Sequence, residues 1–321
     1  MKLRRQIMLG GMVMIASLFS SCEKIDDDPQ GCGLYVDFKY DYNMLYTDAF
    51  HAFVNKVDLY VFDRDSNFLF KQVAEGSQLA DKNFRMHLNM PAGESKDLIV
   101  MAWAGSVKNF TIEPQGENPA SIKELKLRME EAVDGVNNTD LGNLWYGEMK
   151  DIKYLAQGEQ IETINLIKDT NRFKIVLQNV GEANPVSVDD LSIRLLVNNS
   201  YYNHLNQIIP THTIAYQPYS AKDVEGVGAV AELNTMRLTT DTPVVLVIKD
   251  NKRNMELLNI DLMKYLLATQ MEGHKMEPQE YLDRQSEFTI ILFYTNSAQG
   301  AFLSAKIVVN NWTLWMYESD L

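Results

Sequence analysis

The stretch LYVDFKYDY, Leu34 to Tyr42, decides the fold. Leu34, Val36, Phe38, Tyr40 and Tyr42 fall on one side of an extended chain and Tyr35, Asp37, Lys39 and Asp41 on the other, the period-two pattern of a half-buried strand. The pattern continues downstream. VDLYVFD (Val57 to Asp63) and FLFKQV (Phe68 to Val73) flank the polar turn Arg64-Asp65-Ser66-Asn67 and predict a hairpin. FRMHLNM sets Phe84, Met86, Leu88 and Met90 against Arg85, His87 and Asn89, ahead of the turn Pro91-Ala92-Gly93. LIVMAWA, Leu98 to Ala104, has no polar face, so it predicts a strand covered on both sides. ELKLRM, Glu124 to Met129, reads as a further strand.

After YLAQGEQ (Tyr154 to Gln160) the pattern restarts with IETINL, FKIVLQNV, LSIRLLV, PVVLVIKD and MELLNI, the last two separated by the turn Asp250 to Arg253. Two helices interrupt it: DLMKYLLATQ places Leu262, Tyr265, Leu266 and Thr269 at helical spacing behind an Asp261 cap, and EPQEYLDRQ has Pro278 at a helix start. The chain closes on FTIILFY, AKIVV and WTLWMY, the last two joined across Asn310-Asn311, residues that tolerate positive φ. Short strands with few helices predict an all-β protein of two tandem antiparallel β-sandwiches, about 34–158 and 159–321. The 321 residues, 46% of them hydrophobic, suffice for two cores.

Upstream of the first strand, a basic start with Lys2, Arg4 and Arg5 leads into an apolar stretch that ends at Cys22 in IASLFSSCEKIDDD. This reads as a lipoprotein export signal, 1–21. Ser20 and Ser21 offer the small side chains that a peptidase cutting between Ser21 and Cys22 needs, and Cys22 offers the thiol that carries diacylglycerol. The alternative is a transmembrane helix. Ile7 to Phe19 is about 13 residues and spans about 20 Å, short of the ~30 Å hydrocarbon core. The mature chain then starts at Cys22 with an acidic, lipidated tether, 22–33, whose EKIDDD also resembles the address that sends some lipoproteins to the outer face of the outer membrane. Cys32 is left without a partner in the chain and reads as a small packed side chain.

Charge and motifs exclude more than they assign. Losing Lys2, Arg4 and Arg5 with the leader leaves 27 basic against 43 acidic side chains, a formal −16, which disfavours nucleic acid and leaves membrane attachment to the lipid. The histidines at 51, 87, 204, 212 and 274 have no metal-ligand spacing, though His204 and His212 could approach one another across Gln207 to Pro210. Asp63, Asp65 and Asn67 imitate the start of a calcium loop, but Phe68 stands where the turn needs glycine. Gly226-Val-Gly228 lacks the third glycine of a nucleotide loop. No cysteine or serine sits in a catalytic motif, and no enzyme, cofactor or small-molecule substrate is expected. Trp145 and the pair Trp312/Trp315 are either core and partner packing or a sugar platform; on a strand one of the pair should face the core and the other be half-exposed.

Several strings together resemble the FimB-type fimbrial anchor family, lipoproteins of anaerobic Gram-negative bacteria: CGLYVDFKYDYNM, DAFHAFVNKVDLYVFDRDSNFL, LWYGE, INLIKDTNRFKIVLQNV, YLLATQ followed by QEYLDRQSEFTIILFY, and IVVNNWTLWMY. They run in order through both halves of the chain. The resemblance implies transthyretin-like sandwiches, no enzymatic activity, fimbrial pilin subunits as partners and the outer membrane as location. It also implies assembly by strand donation, in which a segment of one subunit completes a sandwich in its neighbour. Stalk subunits lose their first strand after an arginine. Here none occurs between Arg5 and Arg64, so the first strand should stay in place and the subunit should end growth of the fimbrium. The segment 305–321 is the expected donor, with Ile307, Val309, Trp312, Leu314 and Met316 as pocket fillers. The alternative is a surface lipoprotein that binds glycans.

Overall fold

The computed structural model describes residues 33–90, 96–105, 108–156, 158–180, 187–270, 276–297, 300–310 and 312–315. In chain order the first half forms β1 (Gly33–Lys39), α1 (Phe50–Phe53), β2 (Lys56–Asp63), β3 (Phe68–Glu75), β4 (Met86–Leu88), β5 (Lys96–Gly105), β6 (Phe110–Glu113), β7 (Lys126–Met129), β8 (Val136–Asn137), β9 (Leu144–Tyr154) and β10 (Glu159–Lys168). The second half forms β11 (Thr170–Asn179), β12 (Leu191–Val197), β13 (Tyr201–Asn203), β14 (Ile214–Tyr216), β15 (Ser220–Val224), β16 (Gly228–Met236), β17 (Val245–Asp250), β18 (Met255–Asp261), α2 (Leu262–Ala268), α3 (Pro278–Arg284), β19 (Glu287–Ser297), β20 (Gly300–Val309) and β21 (Trp312–Trp315). The all-β expectation holds, and both helices start where the sequence places them: the Asp261 carboxylate accepts from the Met263 N–H, and Pro278 opens α3.

A seven-stranded sheet, β3-β2-β5-β9-β10-β1-β4, makes the frame of the first half. It curls so that its edge strands β3 and β4 approach, where the Gln72 side chain donates to the His87 carbonyl at 2.6 Å. The concave face encloses one core, with Leu34, Val36, Phe38, Val57, Leu59, Val61, Val100 and Ala102. Phe50 of α1 stacks on Phe38 and plugs one end. The unbroken run of β5 is explained by its two faces. Val100, Ala102 and Ala104 point into this core, whereas Met101 and Trp103 point into a second one.

That second core is the larger. Tyr60, Phe62, Met101 and Trp103 pack under the three-stranded sheet β13-β7-β6, and the same apolar cluster continues between the six-stranded sheet β15-β16-β11-β19-β20-β21 and the five-stranded sheet β18-β17-β12-β14-β8. Strands cross between halves in both directions: β13 pairs with β7, and β8 pairs with β14.

Two expectations need correction. The pairs β1/β10, β11/β19 and β8/β14 are parallel, so the sheets are mixed rather than wholly antiparallel. Alternation specifies which face is buried but not the direction of a neighbour distant in sequence. The division at 158/159 also falls inside a sheet, because β10 pairs with β1 and β9; Gly158 supplies a positive-φ turn, and the chain passes to the second half at Asp169.

Candidate functional site

Two features bear on assembly, and β1 is the first. Its residues pair with β10 along the whole of Gly33 to Lys39 and with β4 through Leu34 to Val36, so it lies inside the sheet with main-chain partners on both sides. Leu34, Val36 and Phe38 are fully buried, and Tyr40 follows them into the core. Asp48 then fixes the exit: one carboxylate oxygen accepts from the N–H groups of Tyr40 and Phe50 at 2.9 and 3.0 Å. The loop beyond is clamped by Arg284 at the end of α3. Its guanidinium lies 4.1 Å over the Tyr42 ring and 4.3 Å over that of Tyr46, and it donates to the carbonyls of Asp41 and Asn43. A helix of the second half thus holds the strand of the first, a contact that no local sequence signal announces.

The chain end is the second feature. Ile307 and Val309 are wholly buried on β20, an interior strand whose Val309 and Ile307 pair with Ile290 and Leu292 of β19. Across the turn, Leu314 pairs with Ile307 and packs on the same core, and Trp312 pairs with Val309. Asn310 takes φ 47°, as its place in the turn requires. Trp312 and Trp315 are 48% and 60% exposed, so the expected division into one core and one half-exposed tryptophan is wrong. The reason is position: β21 ends the sheet order, and of its four residues only Leu314 reaches the core. Ser21, Cys22, Cys32 and Met316, and the turn at Pro91 to Gly93, lie outside the described residues.

A buried polar network sits where the halves meet. The Asp169 main chain bonds to Leu144 on one side and Arg237 on the other, and its carboxylate accepts from Asn206 at 2.7 Å. Burial pushes this carboxyl up to about 7, opposed by the nearby Arg237 charge and the Asn206 bond. Arg237 in turn holds Asp283 of α3 through two bonds, at 2.6 and 2.8 Å.

The remaining sequence motifs resolve as structure. Trp145 is core. Asp63 accepts from the Asn67 side-chain amide at 3.0 Å and from the Asn67 N–H at 2.8 Å, which closes the β2–β3 turn, and these bonds hold its carboxyl below the usual range. Gly226 and Gly228 both take positive φ in the β15–β16 turn, where a Cβ on Gly228 would lie 2.1 Å from the Leu177 carbonyl oxygen. His212 meets Glu131 at 3.1 Å rather than His204.

Residues 25–318 match the family of fimbrillin-A associated anchor proteins Mfa1 and Mfa2. A curated relative, the minor fimbrium anchoring subunit Mfa2 of Porphyromonas gingivalis, is 20% identical over 100% of this chain and 98% of its own length. Its solved structure superposes at a TM-score of 0.70, with 18% identity, over 89% of this chain and 100% of that one. A Bacteroides thetaiotaomicron structure described as a candidate polysaccharide-binding protein superposes at 0.81, with 35% identity over 90% of this chain and 100% of that one. A candidate adhesin from Bacteroides ovatus superposes at 0.78, with 26% identity over 94% and 100%.

Proposed function

The chain belongs to the family of fimbrillin-A associated anchor proteins, and from that premise we propose that it is an outer-membrane lipoprotein that anchors a fimbrium and ends its growth. The family is one of fimbrial anchors rather than enzymes, and it implies association with fimbrial subunits at the cell surface. Lipid on Cys22 holds the protein at the membrane through the acidic tether. Pilin attachment uses β-augmentation, in which main-chain bonds at a sheet edge give affinity and alternate side chains give register.

The observation that carries this reading is the seating of β1. A subunit whose own first strand fills its groove has no vacancy for a further donor, so growth stops there. The part it offers in exchange is β21, at the edge of its sheet. Replacing Cys22 with Ala should leave a folded protein that no longer stays with the membrane, and fimbriae should appear in the medium. Retention of the variant in membranes after a high-salt wash would refute the lipid anchor. Protein extracted from wild-type membranes should begin at Cys22 and keep Leu34 to Tyr42; a mature start beyond Tyr42 would make it a stalk subunit instead.

A second reading is glycan binding at the cell surface. It is favoured by the exposed Trp312 and Trp315 and by the likeness to a protein described as a candidate polysaccharide binder.

A further inference from the structure

Between the two halves lies a cleft of about 620 Å3, within the range of small-molecule sites. Met44 and Leu45 of the loop after β1 and Phe53 at the end of α1 form one lip; Leu45 and Phe53 are strongly exposed there although apolar. The floor is polar, and two of its groups are not satisfied by the protein. Asn234, on β16, is only 7% exposed, yet its side-chain oxygen makes no hydrogen bond. Lys168, the last residue of β10, has its ammonium held by one bond of 3.3 Å to the Ser286 hydroxyl, and among the described residues no carboxylate lies within ion-pair distance of it. A buried acceptor left unpaired is destabilising, and a half-buried ammonium held by one long bond has donors to spare for a ligand.

The lining decides which chemistry suits the cleft. A simple anion would suit Lys168, but Arg172 is already paired with Glu232 at 2.6 Å, and the anion would face the bare Asn234 oxygen and the carboxylates of Asp140 and Glu287 on the same walls. A cation would meet the reverse problem at Lys168 and Arg172. A hydroxyl both donates and accepts, so a ligand carrying several hydroxyls on an apolar frame can donate to Asn234, Asp140 and Glu287 and accept from Lys168. Its C–H face can then lie on the Met44–Phe53 lip. We propose that the cleft is a binding site for a neutral saccharide, set at the junction of the halves and separate from the β21 edge. This rests on the glycan-binding reading but moves its site from Trp312 and Trp315 to the cleft, and it does not depend on strand donation.

The test uses the detergent-solubilised full chain, titrated by calorimetry with D-mannose, D-galactose, N-acetyl-D-glucosamine and D-glucuronic acid. Variants are Lys168→Met, which keeps the chain length and removes the charge, Asn234→Leu, and Trp312→Ala/Trp315→Ala, with thermal unfolding measured for each. At least one neutral sugar is expected to bind. Lys168→Met should weaken it at least tenfold without lowering the melting temperature, while the double tryptophan variant binds as the wild type. No heat from any neutral sugar at 50 mM would overturn the proposal, and so would binding confined to glucuronic acid. Binding lost in the tryptophan variant and kept in Lys168→Met would also overturn the cleft assignment, while leaving glycan binding itself standing.

Discussion

At the scale of single residues, Gly147 shows what the LWYGE string is for. Trp145 turns into the first core and Tyr146 into the second, and the next residue must let β9 lie close to both neighbours. A Cβ at Gly147 would sit 2.8 Å from the Ala102 Cβ and 3.0 Å from a methyl of Ile164. Gly147→Ala should therefore destabilise by about 1–3 kcal/mol through overpacking, read as a lower denaturant midpoint at unchanged slope. Asp169 carries a different test. Its carboxyl titrates at about 7 when folded against an ordinary value near 3.8, so the folded state keeps the proton that the unfolded state has lost. Stability from this group is thus fully present at low pH and declines as pH rises from about 4 to about 7. Asp169→Asn keeps the side-chain oxygen that faces Asn206 and cannot ionise. Unfolding free energy measured from pH 4.5 to 7.5 should fall less steeply in the variant than in the wild type; parallel curves would contradict the burial argument.

At the scale of elements, β21 is the piece whose removal separates two roles. It is four residues long at a sheet edge, and only Leu314 packs on the core, whereas β20 beside it carries the wholly buried Ile307 and Val309. Deleting 311–321 should cost roughly 1–2 kcal/mol, the worth of one partly buried leucine and an edge ladder, and so lower the melting temperature by only a few degrees. Pilin binding should be lost. A collapse of the second half, or binding that survives, would remove β21 from the interface. Strands such as β1, β2, β5, β11, β12, β17 and β19 were legible because one face or both were written in apolar residues, and α2 and α3 because Asp261 and Pro278 mark their starts. β16 escaped because Ala229, Ala231, Asn234 and Thr235 are buried without being strongly apolar. β9 escaped because Gly147, Glu148, Lys150, Asp151 and Lys153 break its alternation. The two-residue β8 and the three-residue β13 and β14 exist only through partners far along the chain. The same holds for the candidate site: the apolar end strand is visible in sequence, but its exposure, the Arg284 clamp and the cleft depend on which elements meet.

At the scale of the whole molecule, the two sandwiches are joined by more than a linker. Trp103 and Met101 of the first sheet belong to the same apolar cluster as Phe173, Ile175 and Leu246 of the second half, and β13 and β8 each complete a sheet begun in the other half. The chain crosses between halves at a buried aspartate whose main chain is bonded to both. In the role proposed above, pull between a fimbrium and a membrane would have to break a shared core rather than open a hinge. The consequence is cooperative unfolding. Trp103→Ala removes one of the largest buried side chains, at a cost of about 3–5 kcal/mol, from a strand of the first sheet that faces the shared core. Hydrogen exchange under denaturant should then show β17, in the far sandwich, losing protection by the same free energy as β1 and at the same midpoint. If β1 weakens while β17 is unchanged, the halves unfold independently, and the common core contributes packing without coupling.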